Sequence, residues 1–357
     1  SGEACYIPLQ HVSHSDEPVD LLSEKNDEPI PDQIPIDDAL SLLKPLLINP
    51  AILKIGQNIK YDALILKKYG LTITPIDDTM LISYVLDAGI NKHGMDELSR
   101  VHLGIEPIPF KQIAGTGQKQ ITFDKVAIDK ATEYAAEDAD ITGRLHRLLK
   151  PRLVQEKMLT VYETLERPLV PVLVDMEYNG IKVDRDILNR LSNEFAVRLS
   201  ELEGEIHKLA GHPFNIASPK QLGEVLFDEM GIAGGKKSKT GAYSTGADIL
   251  ENLAADGHLL PEKVLEWRAL AKLKSTYTDA LQNEINKDTG RIHTSYSLAA
   301  TTTGRLSSNE PNLQNIPIRS EEGRKIRNAF VAEKGYKLIA ADYSQIELRL
   351  LAHIANL

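Results

Sequence analysis

The chain has 357 residues, 42% hydrophobic and 26% charged, with a net charge of −10, a balance expected of a soluble protein of two or three domains. Its single cysteine, Cys5, excludes an internal disulfide and suits a reducing cytoplasm. No apolar run reaches the length needed to span a bilayer, and the acidic stretch from Ser1 to Asp20 lacks the basic flank and apolar core of a signal peptide, so a cytosolic protein with no membrane partner is expected.

The charge is unevenly spread. Residues 1–150 hold 15 Lys+Arg against 23 Asp+Glu, a net of −8, which leaves 26 and 28, a net of −2, for the remainder. The segment Lys263 to Arg327 carries 11 basic and 7 acidic residues, a net of +4, compatible with a cleft that binds a phosphate backbone.

Ala4 to Leu9 reads as a strand, followed by an acidic, proline-containing loop to Asp32. Ala39 to Leu47 has helical spacing, Ile52 to Gly56 reads as a strand, and Tyr61 to Tyr69 is again helical. Further helices are expected from about Asp78 to Leu86 and from about Lys125 to Leu149. The alternation points to an α/β domain. Within it, Asn58 and Asp62 are four apart in GQNIKYD, and Tyr134 and Asp138 are four apart in YAAEDAD, so each pair shares a helical face. Such pairs are often surface decoration; the small Ala135, Ala136 and Ala139 around the second suggest close packing instead.

In the second half, a helix from Glu163 to Tyr178 is stopped by Asn179-Gly180. Asp184 is expected to cap a long helix over 185–210, with Ile187, Leu191, Phe195, Leu199, Leu202 and Ile206 on one face. Ser218 and Pro219 form the start of another. The glycine-rich stretch 231–241 carries Lys236, Lys237 and Lys239 and reads either as a solvated loop or as a tip that touches phosphates. A helix from Lys263 to Ile285 places Trp267, Leu270, Leu273 and Tyr277 alongside Lys272 and Lys274. A strand over 290–296 then leads into the irregular segment TTTGRLSSNEPNLQNIP (301–317). Its Arg305, Asn312, Gln314 and Asn315 are donors suited to minor-groove acceptors and phosphate oxygens.

Lys337 to Ala341 reads as a short apolar strand that delivers Asp342 to its end, followed by a helix with Ile346, Leu350, Ile354 and Leu357 on one face. A carboxylate there suits a hard divalent cation; the alternative is a simple helix N-cap, with Glu347 on a solvated face.

Taken in order, GQNIKYD, Asp78-Thr79-Met80, Gly115-Thr116-Gly117 and YAAEDAD resemble the 3′→5′ exonuclease domain of the family A DNA polymerases of bacteria. The stretches ASPKQL (217–222), KLKSTYTD (272–279), TTTGRLSSNEPNLQNIP and DYSQIELR (342–349) resemble the polymerase domain of the same family. The resemblance implies an α/β ribonuclease H-like exonuclease domain over 1–155. A polymerase part would follow over 156–357: connector 156–184, helical thumb 185–288 and the start of an α+β palm 289–357.

By the same resemblance, Asp62 and Asp138 are exonuclease metal ligands, Tyr134 orients the attacking water, and Asn58 lies beside them. Asp342 and the Tyr343 carbonyl hold catalytic Mg²⁺, two ions per active site with Mn²⁺ able to substitute, and Glu347 rejects a ribose 2′-hydroxyl. Arg305, Asn312, Gln314, Asn315, Lys274 and the three loop lysines contact DNA. The partners implied are primer-template DNA and deoxynucleoside triphosphates, handled by a monomer in the bacterial cytosol and nucleoid during replication and repair.

The family's first exonuclease motif, an Asp-x-Glu on the strand before the one at Tyr6, is expected to lie upstream of Ser1, and the family's fingers helix and second palm acid are not found in the chain. The expectation is therefore that this chain alone is inactive and that its residues serve a longer enzyme. Two other classes remain: a ribonuclease D-like exonuclease, for which the segment 301–349 has no use, and a non-catalytic DNA-binding protein, which has no use for Asp62, Asp138 and Asp342.

Overall fold

The computed structural model describes residues 2–12, 32–235, 241 and 243–356. The chain divides into two units, Ser1–Asn179 with Thr294–Asn312, and Gly180–His293 with Leu313–Leu357. Residues 156–179, expected as a connector, and 294–312, expected in the palm, thus pack with the first unit.

The first segment runs α1 (Ile36–Leu47), β1 (Lys54–Gly56), α2 (Ile59–Lys68), β2 (Ile76–Asp78), α3 (Thr79–Asp87), α4 (Met95–His102), α5 (Phe110–Ala114), α6 (Ile128–Gln155), α7 (Leu159–Val161) and α8 (Arg167–Asn179). A π-helical turn, Tyr162–Glu166, joins the last two. Strands β1 and β2 are parallel, with Lys54 opposite Ile76 and Gly56 opposite Asp78. The four-residue spacing of Ile141, Leu145, Leu149 and Leu153 lines one face of α6, which is buried together with Leu81 and Ile82 of α3. The strand expected over residues 4–9 does not form. No described strand pairs with it, and Pro8 lacks the amide hydrogen a ladder needs.

The next segment runs β3 (Ile181–Lys182), α9 (Arg185–Ala210), α10 (Pro219–Gly223), α11 (Ala247–Ala255), α12 (Leu259–Leu273), α13 (Ala280–Asn283) and β4 (Arg291–Ile292). Asp184 caps α9 by accepting from the amides of Asp186 and Ile187 at 2.9 and 3.0 Å. Leu191, Phe195, Leu202 and Ile206 of α9 are buried, as their spacing predicts, together with Leu188. Ser218 caps α10, with Pro219 in its first turn. The helix expected from Lys263 starts at Leu259 and passes through a π-helical turn, Lys274–Asp279, into α13. Lys236, Lys237 and Lys239 lie outside the described residues.

The last segment holds β5 (Ser295–Ser297), β6 (Ser307–Asn309), α14 (Glu321–Arg327) and α15 (Ile346–Ile354). The single strand expected over 290–296 is two: β4 pairs antiparallel with β3, and β5 pairs antiparallel with β6. Residues 337–341 form no strand, because no described residue offers them a ladder; Ile339 is 90% exposed. The stripe Ile346, Leu350 and Ile354 does fall on a helix, α15, and Leu357 lies outside the described residues. No helix among the described residues is long and apolar enough to cross a membrane.

Candidate functional site

The GQNIKYD segment carries the chain from β1 into α2. Asn58 sits at the helix start in the left-handed region (φ 55°, ψ 47°), a conformation asparagine tolerates better than most residues. The geometry is imposed by Asp78, which ends β2 and caps α3. Its carboxylate accepts from the amides of Asn58 (2.9 Å), Ile59 (3.0 Å) and Met80 (2.9 Å). Burial nevertheless pushes the Asp78 carboxyl up to about 6. The sequence marks Asp78 as the start of a helix and part of a motif; its cap on α3 is local, while its bonds to Asn58 and Ile59 cross from β2 to the start of α2.

One turn into α2, Asp62 keeps contact with solvent, yet desolvation by the surrounding protein pushes its carboxyl up to about 6. On α6, Tyr134 and Asp138 stand one turn apart, as the i,i+4 spacing places them. The Tyr134 ring packs against Phe110 and Phe123 at centroid distances of 5.9 and 6.0 Å. Burial first, then the charge of Asp138, pushes the Tyr134 phenol up to about 12. Asp138 is itself raised to about 6 by burial and by its neighbours Glu137 and Asp96. Its Oδ1 is buried with no hydrogen-bond partner among the described residues. An anionic oxygen of that kind fits a cation, although the described residues gather no three His, Cys, Asp or Glu side chains about one point.

The 301–317 segment is braced along its length. In the first unit, the Thr294 hydroxyl meets Ser308 Oγ at 2.7 Å and donates to the carbonyls of Asn309 (3.0 Å) and Pro311 (2.8 Å). The Thr301 hydroxyl donates to the carbonyl of Arg305 at 2.8 Å. In the second unit, Tyr277 donates to the carbonyl of Asn315 at 2.5 Å, and Arg327 donates to the carbonyls of Ile316 (3.0 Å) and Pro317 (3.2 Å). Gly323 of α14 packs so closely on this segment that a Cβ there would lie 2.4 Å from the Pro317 oxygen. Arg305 and Asn312 fall in the first unit, Gln314 and Asn315 in the second.

Asp342 and Tyr343 are exposed, four and three residues ahead of α15. The N-cap of that helix is Gln345, in the left-handed region and without a side-chain capping bond, so Asp342 is not a cap. Glu347 is exposed in the first turn. Lys274, expected to offer its charge to DNA, forms an ion pair with Asp279 at 2.7 Å.

The sequence pattern of DNA polymerase family A matches residues 185–357, and that of 3′-5′ exonuclease matches residues 19–154. The DNA polymerase I of Rhizobium leguminosarum is 58% identical over 99% of this chain and 34% of its own length. That of Pseudomonas aeruginosa is 48% identical over 99% of this chain and 38% of its own. The chain therefore spans a little over a third of the length of these curated relatives. Among solved structures, the POL domain of Pol1 from M. smegmatis in complex with DNA primer-template and dNTP superposes with a TM-score of 0.76 at 34% identity, covering 91% of this chain and 53% of that one. By these matches the chain is similar to DNA polymerase family A over residues 185–357 and to 3′-5′ exonuclease over residues 19–154 ahead of it.

Proposed function

We propose that this chain supplies the 3′-5′ exonuclease region and the primer-template-binding part of a DNA-directed DNA polymerase that acts in replication and repair. The observation that carries the reading is the bracing of the unbroken segment 301–317 on both of its flanks. A segment rich in amides and hydroxyls, fixed through its backbone, presents side chains at set positions to acceptors that every base pair shares.

In this reading the first region has a ribonuclease H-like fold, residues 185–288 with α9 to α13 form the thumb, and residues 289–357 begin an α+β palm. Arg305 and Asn312 meet the minor groove and backbone near the primer end, and Gln314 and Asn315 hold the primer-template. Lys274, shared with Asp279, and Lys236, Lys237 and Lys239 add charge against phosphates.

Asp342 and the backbone carbonyl of Tyr343 would hold Mg²⁺ at the synthetic site, and Asp62 and Asp138 would hold it at the hydrolytic one. When bound, the metal ions would neutralise phosphate charge and lower the pKa of the attacking water or primer 3′-hydroxyl. Tyr134 stays protonated at neutral pH, so its hydroxyl can fix a water's orientation without taking up its proton. Asn58, locked by Asp78, lines the same helix start as Asp62. Glu347 would crowd a ribose 2′-hydroxyl and thereby favour deoxynucleotides. The enzyme works as a monomer in the bacterial cytosol, on primer-template DNA and deoxynucleoside triphosphates.

Equilibrium titration of a fluorescent primer-template with the chain tests this. Binding should weaken as salt rises, and Arg305→Ala with Gln314→Ala should weaken it by about tenfold or more. Affinity unchanged by both substitutions would rule the reading out.

A further inference from the structure

The loop that carries Arg305 meets helix α3 at one point and the turn that follows α3 at another. The Gly304 amide donates to the Tyr84 hydroxyl at 3.0 Å. Gly89, with φ +81°, approaches Thr302 so closely that a Cβ there would lie 3.1 Å from the threonine methyl. Tyr84 is well suited to act as a fixed seat. It is 5% exposed, and its ring stands edge-on to His93 at a centroid distance of 5.6 Å. His93 is itself buried, bonded to Ser83 Oγ at 2.9 Å, and its carbonyl accepts from Gln57 at 2.8 Å. Gln57 also accepts from Thr79 at 2.5 Å. The hydroxyl that meets the loop is thus the end of a packed chain of groups rooted in the first unit's core.

Residues Thr302 to Arg305 are exposed, while Leu298 is buried and Leu306 half-buried in the first core. The loop's two ends are packed against the first core, and the turn between them meets Tyr84 through the Gly304 amide and Gly89 through Thr302. Arg305 follows Gly304 directly, and its carbonyl is tied back to Thr301. A shift of the Gly304 amide therefore moves the origin of the Arg305 side chain.

We propose that Tyr84 is a positioning residue for DNA binding: its hydroxyl, with Gly89, sets where the 301–305 loop sits and hence where Arg305 meets the primer-template. The proposal rests on the primer-template reading of Arg305. It assigns to a helix of the exonuclease region a part in placing a DNA contact of the polymerase region. Tyr84 touches no DNA in this scheme; it acts through Gly304 and Arg305.

The test is a double-mutant cycle on the whole chain, with Tyr84→Phe, Arg305→Ala and both together, read by anisotropy of a labelled primer-template at one salt concentration. Tyr84→Phe keeps the ring on His93 and deletes only the acceptor. It should weaken binding by about 3- to 10-fold, the scale of one lost hydrogen bond. In the Arg305→Ala background the same change should alter affinity by less than about twofold, because the group it positions is gone. In the DNA-free chain, exchange of the Gly304 amide should quicken in Tyr84→Phe while other amides of α3 keep their protection. Wild-type affinity in Tyr84→Phe, an undiminished effect in the double variant, or unchanged exchange at Gly304 would each overturn the proposal. If Arg305→Ala alone binds DNA like the wild type, the primer-template reading of Arg305 fails first, and the positioning role fails with it.

Discussion

Lys60 of α2 and Glu177 of α8 form an ion pair of 2.5 Å, with side chains 8% and 3% exposed. The same Glu177 oxygen accepts from the Tyr296 amide on β5 at 2.6 Å. One buried carboxylate therefore ties together a helix of the exonuclease region, the helix that leads out of it and β5, the strand just ahead of the 301–317 segment. Glu177→Gln keeps an acceptor for Tyr296 but strands the Lys60 charge, and should cost about 3 kcal/mol or more in urea denaturation. Adding Lys60→Met should restore most of that loss, since removing both charges also removes the desolvation penalty. A double variant as unstable as the single one would show that the pair is not the cause.

Asp77, next to the capping Asp78, governs the acid limb of stability. Burial pushes its carboxyl up, but hydrogen bonds from His146 (2.8 Å), Lys150 (3.1 Å) and Tyr162 (3.0 Å), with the Lys150 charge, together outweigh this and hold it at about 2. A carboxyl held below its unfolded value stabilises the fold above about pH 4, and that contribution is lost as pH falls through about 2. Asp77→Asn should therefore lower stability at pH 7 and flatten its decline between pH 4 and 2. Parallel acid limbs in the two proteins, measured by circular dichroism, would contradict the assignment.

How far sequence reading reached differs between these cases. The caps Asp184 and Ser218 follow from local chemistry and could be placed without coordinates, while Asp62, Tyr134, Asp138, Arg305 and Asp342 were singled out because they stand in contiguous motifs. The buried face of α9 was legible because burial repeats with the helix period. Glu177, Asp77 and Tyr84 were not legible. Their partners lie 117, 69 and 220 residues away, and nothing local distinguishes them from ordinary helix or strand residues. The strands expected over 4–9 and 337–341 failed for a related reason: a strand is a property of a pair, and apolar alternation reports only one member.

Gly323 offers a test of the bracing on the second flank of 301–317. A methyl group there meets a backbone oxygen, which cannot rotate aside as a side chain could. Gly323→Ala should destabilise the chain by about 1 to 3 kcal/mol and, by displacing Pro317 and the residues before it, weaken primer-template binding. Retained stability together with unchanged DNA affinity would show that the segment tolerates movement.

The central claim concerns Asp342, and its most direct test is templated nucleotide incorporation. In the protein that carries this chain, single-nucleotide addition to a primer opposite each of the four template bases should follow base pairing and require Mg²⁺. Asp342→Asn should lower its rate by about a thousandfold or more while leaving primer-template affinity within about twofold. Incorporation that ignores the template, or that proceeds at the wild-type rate in Asp342→Asn, would contradict the account.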